Sequence, residues 1–181
     1  MPLEIVIPET ELFDEKTNTF INVSKTTLKL EHSLVSISKW ESKWKKPFLG
    51  KEQKTQEESI DYIKCMTITQ NVDPFIYSVI PSSEINKITE YINDPMTATT
   101  FNNKQKAPKK NTVVTAEIVY YWMTELNIPF SCEKWHFNRL LTLIEVCNVK
   151  KTPPKKMNKR DILSRNAALN AARRQATGST G

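Results

Sequence analysis

The chain has 181 residues, 39% of them hydrophobic, and 26 Lys/Arg against 20 Asp/Glu give a formal net charge of +6. That length suits one domain able to bury a core without staples, and no apolar run approaches the roughly 18 residues of a membrane span. Of the three glycines, Gly178 and Gly181 fall at the C-terminal end, which excludes a Walker-type phosphate loop and a dinucleotide fingerprint.

The first thirty residues predict strands. Leu3, Ile5 and Ile7 alternate along the chain before Pro8, and Phe20-Ile-Asn-Val and Leu28-Lys-Leu30 follow with a period of two, around a turn at DEKTN, 14–18. A small antiparallel sheet is expected. The acids at 9, 11, 14 and 15 are placed in or near that turn.

From Ser33 the period becomes helical: Leu34, Ile37, Trp40 and Trp44 share one face, and Pro47 and Gly50 end the helix. A second helix starts at Thr55, where TQEE sets Glu58 to bond back to the cap, and carries Ile60, Ile63 and Met66 inward. A third spans 83–93 between Pro81 and Pro95, with Ile85, Ile88 and Ile92 as its stripe.

NNKQKAPKKN at 102–111 has a loop composition. Beyond it, Val114, Ile118, Tyr121, Trp122 and Leu126 form one helical stripe. Phe137, Leu140, Leu141, Ile144 and Cys147 form another, and Asn127-Ile-Pro129 joins the two as a helical hairpin. VKKTPPKKMNKR at 149–160 reads as a linker, after which Asn158 caps a helix rich in Ala, Leu and Arg whose apolar face is thin.

The expected class is therefore α+β: mainly helical, with a small N-terminal antiparallel sheet, a helical hairpin in the second half and a basic C-terminal tail. Residues 1–149 form a single domain, β-rich over 1–31 and helical over 33–148, and 150–181 form the linker and tail.

Charge separates along the same boundary. Lys150, Lys151, Lys155, Lys156, Lys159, Arg160, Arg165, Arg173 and Arg174 face one acid, Asp161, so the tail carries +8; the other 17 basic and 19 acidic residues leave the body at −2. Such a run is ordinarily solvated, yet it is able to bind phosphates through counterion release. It has no aromatic ring to stack on single-stranded bases.

Catalytic and metal chemistry find little footing. Cys132 and His136 lie four apart, but Glu133 is the one further ligand type nearby and points elsewhere, short of a tetrahedral set. His136, between Trp135 and Phe137, is expected in a core or an interface. The acids Glu57, Glu58 and Asp61 favour a helix start through its dipole. No catalytic, metal or cofactor residue is assigned, and a non-enzymatic protein is expected. Three cysteines without a close pair point to reduced thiols, and the opening MPLEIVIPETELFDE lacks the pattern of an export signal.

Trp40 and Trp44 leave two readings open: the buried face of a helix, or an aromatic groove rimmed by Lys39, Lys43, Lys45 and Lys46.

LEHSLVSISKWESKWKKPFL (30–49), NDPMTATTF (93–101), IVYYWMTELNIPFSCEKWHFNRLLTLIEVCN (118–148) and NAARRQATGSTG (170–181) together resemble the tail assembly chaperones of long-tailed bacteriophages, in order and over most of the chain. The resemblance implies a non-enzymatic helper in the host bacterial cytoplasm. It would bind the tape-measure protein and/or tube subunits and leave before the particle is finished. The family has no catalytic or ligand residues to carry over, so the interface expectation rests on Trp40, Lys43, Trp44, Tyr121, Trp122 and Trp135. A structural virion protein of the tail or head-tail connector, a non-specific nucleic-acid binder acting through the tail, and a homo-oligomer stay open; a membrane partner is not expected.

Overall fold

A computed structural model of the chain describes residues 2–14, 18–101, 113–151 and 158–178. The class is α+β, as the periodicities predict. The N-terminal part is β1 (Leu3–Ile7), β2 (Thr10–Asp14), β3 (Thr19–Val23) and β4 (Thr26–Leu30). β1 pairs antiparallel with β4 and β2 with β3, and the partner numbers add to 33 in both ladders, so two short sheets form one nested ribbon. Pro8, which has no N–H to give, falls in the gap between the ladders. There the Thr10 hydroxyl donates to Pro8 O at 3.2 Å and, on the facing strand, that of Thr26 to Ser24 O at 3.0 Å.

The inward face changes parity across this gap. Ile5, Ile7, Leu28 and Leu30 are buried on one side of it, whereas Val23 is buried and Leu12 and Ile21 half-buried on the other. No alternation marks a strand at 10–14, and its acids are expected in or near a turn. Glu11 and Asp14 instead belong to β2, while 15–17 lie outside the described residues.

α1 (Leu34–Trp44) is capped by Ser33, whose hydroxyl accepts from the Ser36 amide while the Ser36 hydroxyl accepts from the Ser33 amide. It ends at Lys45, in the left-handed region at φ 55°, before Pro47 is reached. α2 (Gln56–Met66) begins with the expected reciprocal cap of Thr55 and Glu58. The chain leaving α2 runs along the open edge of β4: Glu31 N–H donates to Met66 O at 2.9 Å and Ile68 N–H to Lys29 O at 2.8 Å.

After a 3-10 turn at Pro74–Ser78 comes α3 (Ser82–Asn93), which buries Ile88 and Tyr91; Ile85, expected inward, is 43% exposed. The loop expected at 102–111 lies outside the described residues.

α4 (Ala116–Glu125), a 3-10 turn at Phe130–Lys134 and α5 (Phe137–Lys151) follow. α4 packs chiefly on α1. It buries Ala116, Val119 and Met123, one step around the helix from the expected Ile118 and Tyr121. α5 turns in Phe137, Leu140 and Ile144, as its stripe predicts.

The core joins the inward ribbon face to Leu34, Ile37, Trp40, Met66, Met123 and Phe137. α5 continues to Lys151, so residues 149–151, assigned to a linker from sequence, are helical; 152–157 lie outside the described residues. α6 (Lys159–Thr177) starts at Asn158 and stops at Gly178, whose φ of 63° favours glycine. The chain divides into two compact units, Met1–Asn148 and Val149–Gly181.

Candidate partner-binding surface

The first candidate, around the two tryptophans of α1, proves to be a helix-helix interface. Trp40 is 1% exposed, and its indole N–H donates to Glu58 O at 2.9 Å. It is core and leaves the list of docking residues. Trp44 is half-buried and its indole N–H donates to Asp61 Oδ2 at 2.9 Å. Lys43 pairs with the other Asp61 oxygen, and Lys46 with Glu58 at 2.7 Å.

The lysine rim of the sequence reading is thus partly engaged by the carboxylates of α2. Burial works to raise the Asp61 carboxyl, but the bonds from Lys43 and Trp44 outweigh it and hold the group below its ordinary value. For Glu58 the Lys46 bond leads, and the Thr55 amide adds to it, in the same direction. Beside Lys43 the surface dips into an open depression of about 580 Å³ walled by Thr55, Glu57, Ile60 and Lys64.

The residues of the second candidate are exposed or half-buried. Tyr121 on α4 is 62% exposed, Phe130 on the 3-10 turn 57% and Trp135, just before α5, 36%, while Trp122 is half-buried. Local bonds hold these elements in place. The Tyr120 hydroxyl donates to Glu133 at 2.9 Å, its ring lies 6.2 Å from that of Phe130, and the Arg139 guanidinium sits 4.4 Å over the Trp135 ring. Aromatic rings with one wet edge, beside a cation, are the residue types that protein interfaces favour.

The sequence reading missed Phe130 because the turn around it carries no helical period. It also missed the exposed pair of Phe13 and Phe20, directly opposed across β2 and β3 with ring centroids 5.1 Å apart. Their placement on either side of the turn expected at 14–18 is the signal that finds them.

The residues weighed for metal or nucleophilic chemistry are internal. His136 is buried and its Nε2 lies 3.0 Å from Tyr91 O, Cys132 is buried, and the His136 ring stands 5.1 Å from that of His32. His32 Nδ1 and the Tyr62 hydroxyl share a hydrogen bond at 2.5 Å. Burial first, then the neighbouring His136, push the His32 imidazole down to about 3; burial likewise lowers His136. Two neutral rings thus fasten the β4–α1 junction to α2, α3 and the start of α5. Among the described residues no three His, Cys, Asp or Glu side chains converge as a metal set.

Of the basic tail, Lys150 and Lys151 end α5, where positive charge suits the helix dipole. Lys155 and Lys156 lie outside the described residues, and Lys159, Arg160, Arg165, Arg173 and Arg174 project from α6, every residue of which is exposed. No described helix is long and apolar enough to cross a membrane. No protein-family model, no curated protein and no solved structure matches this chain.

Proposed function

We propose that the protein is a non-enzymatic assembly chaperone of a long-tailed bacteriophage, acting in the host bacterial cytoplasm on the tape-measure protein and/or tube subunits. The observation that carries this reading is the exposure of three aromatic side chains, Tyr121 on α4, Phe130 on the 3-10 turn and Trp135 just before α5, on a well-packed body. Large exposed rings, that of Trp135 lying under the Arg139 guanidinium, suit a partner that is helical and apolar, which is what a tape-measure segment offers before it is enclosed. The likeness of residues 30–49, 93–101 and 118–148 to tail assembly chaperones supplies the identity of that partner.

The test is to replace Tyr121 and Trp135 together by Ala and measure how much tape-measure protein stays soluble on co-expression. Both side chains are partly or largely in water, so the variant is expected to melt as the parent does. Solubilised partner is expected to fall at least about tenfold, as the loss of two interface rings predicts. Undiminished solubilisation by a folded variant refutes the assignment of this surface.

A further inference from the structure

α6 is a 19-residue helix with no buried residue, and one side of it gathers amides and cations. At about 100° per residue, Lys159, Leu163, Asn166, Asn170, Arg173 and Arg174 fall within an arc of about 100°. Asn166 and Asn170, one turn apart, occupy the middle of that arc. Arg173 flanks them on one side, and Arg174, then Arg160, on the other. Asp161, the helix's one acid, lies on the opposite side, one turn before Arg165, so nothing negative faces the stripe.

We propose that α6 binds B-form duplex DNA, lying in the major groove with Asn166 and Asn170 toward base edges and Arg160, Arg173 and Arg174 toward the phosphates. The inference stands apart from the chaperone reading, and neither depends on the other.

The occupant follows from chemistry. The major groove admits an α-helix, an Asn amide pairs with adenine through a donor and an acceptor at once, and an aliphatic side chain such as Leu163 meets a thymine methyl. Cations on both flanks reach the two phosphate strands that border the groove, and neutralising them releases counterions.

An acidic protein helix fits less well. It would need a continuous seam of large apolar residues, whereas the line of Ile162, Leu169, Ala172 and Ala176 is thin, consists half of alanine and has Arg165 in its midst. Duplex RNA fits less well too, because its major groove is too deep and narrow for side chains to read.

The experiment is fluorescence anisotropy of a labelled DNA duplex titrated with the full chain, between about 50 and about 200 mM NaCl. The three phosphate contacts predict a log-log salt slope of about −2.7, and replacing Arg173 and Arg174 together by Gln is expected to reduce it by about 1.8. Asn166→Ala with Asn170→Ala is expected to keep the slope while lowering the preference for duplexes selected from a random pool by at least about tenfold. Ala168→Pro keeps every charge but breaks the helix, and is expected to weaken binding by at least about tenfold.

All of these positions are exposed, so the melting of the Met1–Asn148 unit is expected to be unchanged, which verifies that each variant is folded. Three results each overturn the proposal: no anisotropy change at the lowest salt, equal or tighter binding to polyglutamate, anionic vesicles or duplex RNA, or an Ala168→Pro protein that binds DNA as the parent does. The last would mean an extended polycationic arm in which the helix face has no part.

Discussion

Removing the Glu41 carboxylate would strand two buried amides. Glu41 is 8% exposed; Oε1 accepts from Phe48 N–H and Oε2 from Ala116 N–H, each at 2.7 Å, so one side chain ties α1 both to its own exit loop and to the first turn of α4. The α4 cap residue, Thr115, makes no side-chain capping bond. Glu41→Ala should therefore cost about 3 kcal/mol, the sum of two unsatisfied donors, and lower Tm by roughly 6 to 12 °C in a thermal melt followed by circular dichroism. A fall of under about 2 °C would show that water replaces the carboxylate at no cost. Nothing local in WESKW announces this role, because the amide of Ala116 arrives from 75 positions away.

His32 gives a second residue-scale prediction. Its folded value, near 3, lies below the ordinary 6.5, so folding favours the neutral ring. That stability is fully present above pH 6.5 and is lost as pH falls toward 3, at up to about 1.4 kcal/mol per pH unit for one imidazole. Lowered His136 works in the same direction. Urea melts at about pH 7.5 and about pH 5 should show a loss of roughly 2 kcal/mol, largely removed in His32→Gln. Equal midpoints at both pH values would contradict the buried, neutral assignment.

At the scale of elements, the existence of each helix was legible and its buried face less so. The period of 3.6 located α1 to α5, and the TQEE cap fixed the start of α2. Choosing the largest apolar residues for the inward stripe failed on α4. The smaller Ala116 and Val119 are buried instead, which leaves Tyr121 in water. On α3 the same bias placed Ile85 inward where Tyr91 is buried. β2 was illegible because two acids interrupt TELFD, and only its pairing with β3 reveals it.

The tryptophans test the α1–α2 interface. Trp40→Ala should cost about 3 to 5 kcal/mol, since a fully enclosed ring is lost and a cavity remains. Trp44→Ala, half in solvent, should cost less than half as much, read from urea midpoints. Equal losses would mean that Trp44 is as much a part of the core as Trp40.

At the scale of the molecule, a near-neutral packed unit and a basic exposed helix occupy separate parts of one chain. The division of charge was plain in the sequence. The composition of the candidate surface was not, because Trp40, its first choice, is internal, whereas Phe130 lies in a turn that periodicity does not see.

A chaperone for the tape-measure protein is the central proposal, and co-expression with that long coiled-coil protein tests it most directly. Size-exclusion chromatography with light scattering should find a soluble complex that forms only when both chains are present, and should give its stoichiometry. An insoluble tape-measure protein beside this chain eluting alone contradicts the proposal and leaves the virion-component reading in its place.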